Sequence, residues 1–170
     1  MWRTVLAGAL LSLSLPLAAT DVRQISWEAL IPNDAPPPKL QMAPIHAMSE
    51  LADALAEQAP AARQLEPAAP VVKALDGQRV KLPGYIVPLD VDAQNRVSEF
   101  LLVPYFGACI HVPPPPSNQI VHVTAELGVS LDDLYQPFWV EGTLRVEPIS
   151  SELAEVGYQM SAEKIYVYEY

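Results

Sequence analysis

The residues best suited to chemistry lie in one short segment of the chain. Cys109 is the only cysteine, and His111, one of three histidines, follows it after a single residue. On an extended backbone, residues two apart project their side chains to the same face. A thiolate beside an imidazole is a ligand pair that suits zinc or copper ions. The segment therefore predicts either a metal site or a thiol centre.

A zinc site needs more ligands than this pair supplies, because structural zinc is bound by four side chains. We expect His122 to be the third ligand, since a chain that turns back after His111 brings it close. The metal hypothesis thus consists of Cys109, His111 and His122 binding zinc. Further candidates for completing the site are Asp90, Asp92, Glu99 and, less favoured, His46. The alternative is that Cys109 is a small buried hydrophobic residue and His111 a hydrogen-bonded one.

Thiol catalysis is the competing chemical interpretation of the same pair. A nucleophile and its base must approach to roughly 2.6–3.2 Å. Alternate residues on one strand lie about 6–7 Å apart, which is too far for Cys109 and His111. Asn118 is available to orient an imidazole, but no protease or transpeptidase signature surrounds the cysteine. We therefore predict a non-enzymatic protein and keep a thiol enzyme using Cys109 as an alternative.

Four consecutive prolines follow the pair: Pro113, Pro114, Pro115 and Pro116. They fix φ and remove four backbone donors, so the sequence predicts an extended, left-handed rod that presents its flanks rigidly. Asn118 and Gln119 lie directly after the rod. Their side chains can bond to carbonyls that the rod leaves without partners, or they can line a binding pocket.

The N-terminus resembles an export signal. Arg3 precedes an apolar run over residues 5–17, and small residues follow where a signal peptidase would cut. A span of the membrane needs about 20 apolar residues, so a cleaved signal over residues 1–19 is favoured over an anchor. No cysteine follows the run, which argues against a lipid anchor at that position. We expect a periplasmic protein that meets the membrane only through a partner.

Charge restricts the possible partners. The formal net charge is −10, and removal of the signal, with Arg3, leaves 9 basic and 20 acidic residues. A chain this acidic repels polyanions at long range, so we predict no binding to nucleic acid. A lone cysteine also excludes an internal disulfide.

The periodicity predicts a small β-domain with an N-terminal extension. Residues 20–70 form the extension, in which apolar spacing predicts one helix at about 45–58 between Pro- and Ala-rich linkers. Residues 71–170 form the β-domain. Its predicted strands are 78–89, 97–105, 120–126, 138–147 and 164–170, with a short helix capped by Ser130 and a helical turn over 151–156.

The first predicted strand changes its inward parity at Pro83 and Gly84, which indicates a bend. A small closed barrel needs one bent strand that serves two neighbours. The fold class is therefore mainly β, an OB-like five-stranded Greek-key barrel, with an open β-sandwich as the alternative. Tyr166, Tyr168 and Tyr170 share one face of the last strand, where they either pack on the barrel or contact a protein, as does Trp139.

The chain resembles an uncharacterised bacterial family of exported small domains, designated only as a domain of unknown function. The resemblance rests on residues 107–119, of sequence GACIHVPPPPSNQ, which we call the signature segment. It extends to residues 83–89, 99–104, 139–144 and 157–160. Members are often encoded beside ABC transporters of the macrolide-exporter type and, in some bacteria, in zinc-responsive gene sets. The resemblance carries no established ligand set.

Together these observations predict an exported, non-enzymatic accessory or binding protein of the cell envelope. The resemblance implies an ABC transporter component as partner, or another periplasmic protein, and a role in divalent metal homeostasis with zinc as the ion. The alternative is a purely structural module for protein interaction.

Overall fold

The computed structural model describes residues 21–35, 64, 66–108 and 114–169. The described chain is mainly β, with short 3-10 turns and no helix of seven or more residues. The strands are β1 (Arg23–Gln24), β2 (Arg79–Asp90), β3 (Arg96–Val103), β4 (Val121–Ser130), β5 (Phe138–Arg145), β6 (Ile149–Ser150), β7 (Glu155–Val156) and β8 (Tyr158–Val167).

Five of these strands close into a barrel. They follow the order β2-β3-β4-β8-β5, and β5 pairs back onto β2. The β4–β8 pair is parallel, and the other four pairs are antiparallel. This is the Greek-key connectivity of an OB barrel, so the predicted fold class is confirmed over the open sandwich.

Closure depends on the bend in β2. Residues 79–84 pair with β5, whereas residues 85–90 pair with β3. Gly84 lies at the change of partner, where an added Cβ would lie 2.7 Å from the carbonyl oxygen of Val103. A residue without a side chain is therefore required where β3 crosses close to β2. The sequence placed the bend correctly at Pro83 and Gly84.

Three local predictions were wrong. The last strand begins at Tyr158, six residues earlier than predicted, because residues 158–162 already pair with β4 or β5. The predicted helical turn over 151–156 is the tip of the β6–β7 hairpin, in which the Ser151 hydroxyl accepts from the Ala154 amide at 3.0 Å. A 3-10 turn does follow Ser130, but the Ser130 side chain makes no capping hydrogen bond.

The barrel interior is filled by inward side chains from every barrel strand. The fully buried ones are Val80, Leu82, Val97, Phe100, Leu102, Val121, Val123, Val140, Leu144 and Tyr158. A second apolar cluster includes the remaining buried residues of β3, Leu101 and Val103, and Ala108, Ile120 and Val156. Alternate residues of a strand point to opposite faces, so this second cluster covers the outside of β3. The β6–β7 hairpin and the start of the signature segment therefore pack onto the outer wall of the barrel.

The N-terminal segment is bound to the barrel through Tyr158. Its hydroxyl donates to the Leu30 carbonyl at 2.8 Å and accepts from the Val72 amide at 2.7 Å. Trp27 adds a bond from its indole nitrogen to the Pro83 carbonyl at 2.7 Å. Residues 27–30 and 72 are thus held on the barrel by one buried and two partly buried hydrogen bonds.

Two predicted segments lie outside the described residues: the signal over 1–19 and the helix at about 45–58. Within the part of the chain that the structure describes, no helix is long and apolar enough to cross a membrane.

Replacement of Tyr158 by Phe is expected to lower the free energy of unfolding by about 1–3 kcal/mol, because two buried backbone groups lose their partner. Urea unfolding of the full chain measures this. The matched control is Tyr166→Phe, whose hydroxyl bonds Glu141 at the surface; it should cost no more than about 0.5 kcal/mol. Equal losses of unfolding free energy in the two variants would contradict a stabilising role for the Tyr158 hydroxyl.

The stability lost in the Tyr158→Phe variant should depend on pH. Burial raises the pKa of Tyr158 above its ordinary value of 10.0. A tyrosine whose pKa is raised by folding contributes stability that is present below the unfolded pKa and lost as pH rises through the folded pKa. The stability difference between wild type and Tyr158→Phe should therefore stay constant up to about pH 9 and narrow as the pH rises above the ordinary tyrosine pKa of 10.0. A constant difference would contradict a buried, protonated Tyr158.

Candidate functional site

The signature segment is described only in part. Cys109, His111 and Pro113 lie outside the described residues, so the structure does not test whether a thiolate and an imidazole meet. Residues 114–119 are described, and they run along the barrel into a 3-10 turn, Ser117–Gln119, directly before β4.

Ser117 joins three separate parts of the chain. Its amide donates to the Glu66 carbonyl at 2.9 Å, and its carbonyl accepts from the Gly157 amide at 2.8 Å. Its hydroxyl accepts from the Ala69 amide at 2.9 Å. The side chain is 3% exposed. Since all of its partners are backbone groups, Ser117 is a structural tie between the linker, β4 and the residue before β8.

The two amide side chains that follow extend this tie. Asn118 is buried and donates from Nδ2 to the Pro70 carbonyl at 2.7 Å. Gln119 donates from Nε2 to the Trp27 carbonyl at 3.0 Å. Each side chain therefore supplies a donor to a backbone carbonyl of the N-terminal half.

The proline rod takes part in the same network. Pro114 and Pro115 are buried, and the Pro115 carbonyl accepts from Gln64 Nε2 at 2.8 Å. Gln64 also donates to the Glu155 carbonyl at 2.9 Å and accepts from the Glu155 amide at 2.9 Å. One side chain thus joins the rod to β7.

A small cleft lies beside this network. Its volume is about 30 Å³, and it is lined by Ile31, Ala35, Glu66, Pro70, Pro116, Asn118 and Gln119. Ligand pockets usually occupy about 300–1,000 Å³, whereas one water has a share of about 30 Å³ in the liquid. The cleft therefore has room for water and not for an organic ligand.

His122 lies on the outer face of the barrel and is paired with a carboxylate. Its Nε2 is 2.9 Å from Glu99 Oε1, and the two side chains are 9% and 48% exposed. Among the described residues, no group of three or more His, Cys, Asp or Glu could hold a metal ion. Asp92, a predicted candidate, instead accepts from the Gln94 and Arg96 amides in the β2–β3 turn. The described chain thus brings together one predicted ligand and one carboxylate.

A groove that the sequence did not predict follows the seam between β4 and β8. Its volume is about 1200 Å³. Its lining includes Arg96, Glu99, Thr124, Glu126, Leu127, Gly128, Ser161, Glu163, Lys164 and Tyr166. A sequence signal did exist, because polar residues recur on the outward positions of β4 and β8. That polar pattern indicates a groove only once the separation of β4 and β8 is known.

The tyrosine face of β8 lies at one end of the groove. Tyr166 donates to Glu141 at 2.7 Å, and burial, followed by this hydrogen bond, raises its pKa. Tyr168 packs against Trp139 with ring centroids 5.0 Å apart, and the Lys81 ammonium lies 4.4 Å from the Trp139 centroid. Tyr170 lies outside the described residues.

Comparison with known proteins places this architecture in a family. Residues 27–167 match the model of DUF3299, described as a protein of unknown function. The chain belongs to the DUF3299 family. It is also similar to the crystal structure of a DUF3299 family protein from Pseudomonas aeruginosa PAO1, with 61% identity and a TM-score of 0.77. The similarity covers 88% of this chain and 98% of that one. No curated protein matches the chain.

Membership in DUF3299 agrees with the predicted resemblance to a domain of unknown function. The matched region begins at Trp27, whose carbonyl accepts a hydrogen bond from the Gln119 side chain. The family match therefore includes both sides of the tie that the signature segment makes.

Replacement of Asn118 by Asp tests the structural role of the segment. A carboxylate offers no donor to the Pro70 carbonyl and places two acceptors face to face, so the expected loss is about 2–3 kcal/mol of unfolding free energy. Chemical denaturation measures it. Gln94→Glu, the same chemical change at an exposed position, should stay within about 0.5 kcal/mol. An Asn118→Asp protein as stable as Gln94→Glu would contradict the tie.

Proposed function

We propose that this DUF3299 protein is an exported, non-enzymatic accessory protein of the cell envelope that acts by binding, with an ABC transporter component as its partner. The observation that carries the proposal is the hydrogen bonding of the side chains in the described part of the signature segment. Ser117, Asn118 and Gln119 all bond to backbone groups of the same chain. Side chains that bond to backbone groups in this way stabilise the fold and do not face a substrate.

The environment of His122 supports a non-enzymatic role. Its imidazole bonds to the Glu99 carboxylate, which can orient a base, but no nucleophile in the described residues bonds to the ring. A nucleophile within hydrogen-bond reach of its base is the structural mark of covalent catalysis. Thiol chemistry at Cys109 remains the alternative, and its test is the reactivity of that thiol.

Export and the transporter partnership rest on the sequence. The apolar run over residues 5–17 supports export. The resemblance to a family encoded beside macrolide-exporter-type transporters supports the partner. The acidic charge, −10 for the whole chain, favours a basic surface on that partner.

Zinc binding is the specific form of this function that His122 favours. Metal-bound histidines commonly bond their second nitrogen to a carboxylate, which fixes the ring and strengthens the ligand. The His122–Glu99 pair has that form. In this proposal Cys109, His111 and His122 hold the ion, and Glu99 orients His122. Zinc would then serve as a regulator or cargo of the accessory protein.

The zinc proposal predicts one ion per chain in protein purified without a chelating tag, measured by elemental analysis. Both Cys109→Ala and His122→Asn should lose it, and Glu99→Gln should weaken the affinity about 10–100-fold. Glu152→Gln, on the exposed β6–β7 turn, is the control and should leave the zinc content unchanged. A wild-type protein without stoichiometric zinc would refute metal binding and leave the adaptor proposal standing.

The partnership is tested in intact cells by amine-reactive crosslinking of the protein in its native envelope. We expect the mature protein in the osmotic-shock fraction and, before lysis, a crosslink to a transporter subunit. Retention in the cytoplasm would contradict export. Crosslinks confined to unrelated proteins would contradict the transporter partnership.

A further inference from the structure

We propose that the groove between β4 and β8 binds an extended basic segment of a partner protein, which joins β8 as an additional strand. The inference deepens the proposed function, because it assumes that the protein acts by binding another protein. It assigns that binding to the surface of the barrel between β4 and β8.

The groove exists because β4 and β8 separate. The two strands pair only between residues 121–125 and 158–162. Beyond that point, residues 164–167 of β8 pair with β5 on one side and, among the described residues, with no strand on the other, while Glu163 lies at a bulge. Four residues of open edge span roughly 13 Å at about 3.3 Å per residue. That length accommodates a short added strand, as in recognition by β-augmentation.

The β4 side of the groove is already occupied. Gly128 has a φ of +60°, and its backbone is pressed against Val97. The Arg96 guanidinium donates to the Leu127 carbonyl at 2.7 Å and to the Gly128 carbonyl at 2.6 Å. A charged side chain that covers exposed strand carbonyls protects that edge from pairing. Only β8 therefore offers an accepting edge.

The charge of the groove selects a basic occupant. Glu99 and Glu163 are paired with His122 and Arg79, yet their side chains remain 48% and 43% exposed. Glu126 lines the groove and makes no ion pair in the described part of the chain. Arg96 is engaged by the carbonyls of β4, and the Lys164 ammonium lies 3.8 Å from Glu141 Oε2, so neither of these lining cations is paired with Glu99 or Glu126 in the described part of the chain. Lysine or arginine side chains complement this surface, and a polyanion does not.

Exposed apolar side chains complete the pattern. Two of them line the groove: Leu127 is 84% exposed, and Tyr166 is 40% exposed. Along an added strand, side chains alternate between the two faces. An occupant that alternates basic and apolar residues can therefore place its charges near the carboxylates and its apolar residues near Leu127 or Tyr166.

The test is fluorescence anisotropy of the full chain with a labelled probe peptide that alternates lysine and valine over seven residues. We expect saturable binding that weakens with salt. The same peptide with glutamate in place of lysine should not bind. The lysine peptide with alternate backbone N-methyl groups should also fail, because added strands bind through main-chain hydrogen bonds.

Matched charge variants locate the site. Glu126→Lys should weaken binding of the lysine peptide about tenfold, since it reverses a charge in the groove. Glu152→Lys changes the net charge equally but lies on the β6–β7 turn, and it should bind like wild type. Equal weakening in both variants would show attraction to net charge alone and would overturn the groove assignment.

Other outcomes would also overturn the proposal. These are no binding of the lysine peptide, equal binding of the glutamate peptide, and full binding of the N-methylated peptide. A groove filled by a second copy of the chain, seen as a dimer by light scattering that Glu126→Lys dissolves, would do the same. If peptide binding fails while the transporter crosslink persists in the Glu126→Lys protein, the assignment of binding to the groove is wrong and the proposed function stands.

Discussion

Closure of the barrel by one bent strand is the constraint on which the rest of this structure depends. β2 must pair with β5 before Gly84 and with β3 after it, and the crossing leaves no space for a side chain at that residue. Closure fixes the order of all five strands and therefore sets β4 parallel to β8. The parallel pair covers only residues 121–125 and 158–162, and the strands separate beyond it, where the β3–β4 register shifts between Val97 and Glu99. The groove is a consequence of that geometry.

The signature segment and the groove divide the molecule into a structural part and an exposed part. The side chains of Ser117, Asn118 and Gln119 hydrogen-bond to backbone atoms of the N-terminal half. Because these groups are shielded from water, the loss of any one bond lowers the stability of the fold. The groove keeps half-exposed carboxylates and an open strand edge. The described end of the signature segment thus stabilises the fold, while the surface suited to binding consists of ordinary polar strand residues.

Local patterns predicted much of the fold and less of the site. Alternating apolar residues located three strands, a continuous apolar run located β3, and the change of parity at Gly84 located the bend, because these signals act over a few residues. The start of β8 was missed, since residues 158–162 are strand because they pair with β4 and β5, which are distant in sequence. The carbonyl partners of Asn118 and Gln119 are 48 and 92 residues away, so their roles needed the structure. Zinc binding by Cys109 and His111 stays a prediction.

Residues 114–119, the described end of the signature segment, form a structural tie, and residue-resolved amide hydrogen exchange tests this role most directly. The amides of Ser117, Gly157 and Val72 each donate within the tie. They should exchange only through global unfolding, with free energies equal to that of the whole domain, whereas the Gln94 amide in the exposed β2–β3 turn should exchange by local fluctuation. Exchange of the Ser117 and Gly157 amides as fast as that of Gln94 would contradict the account.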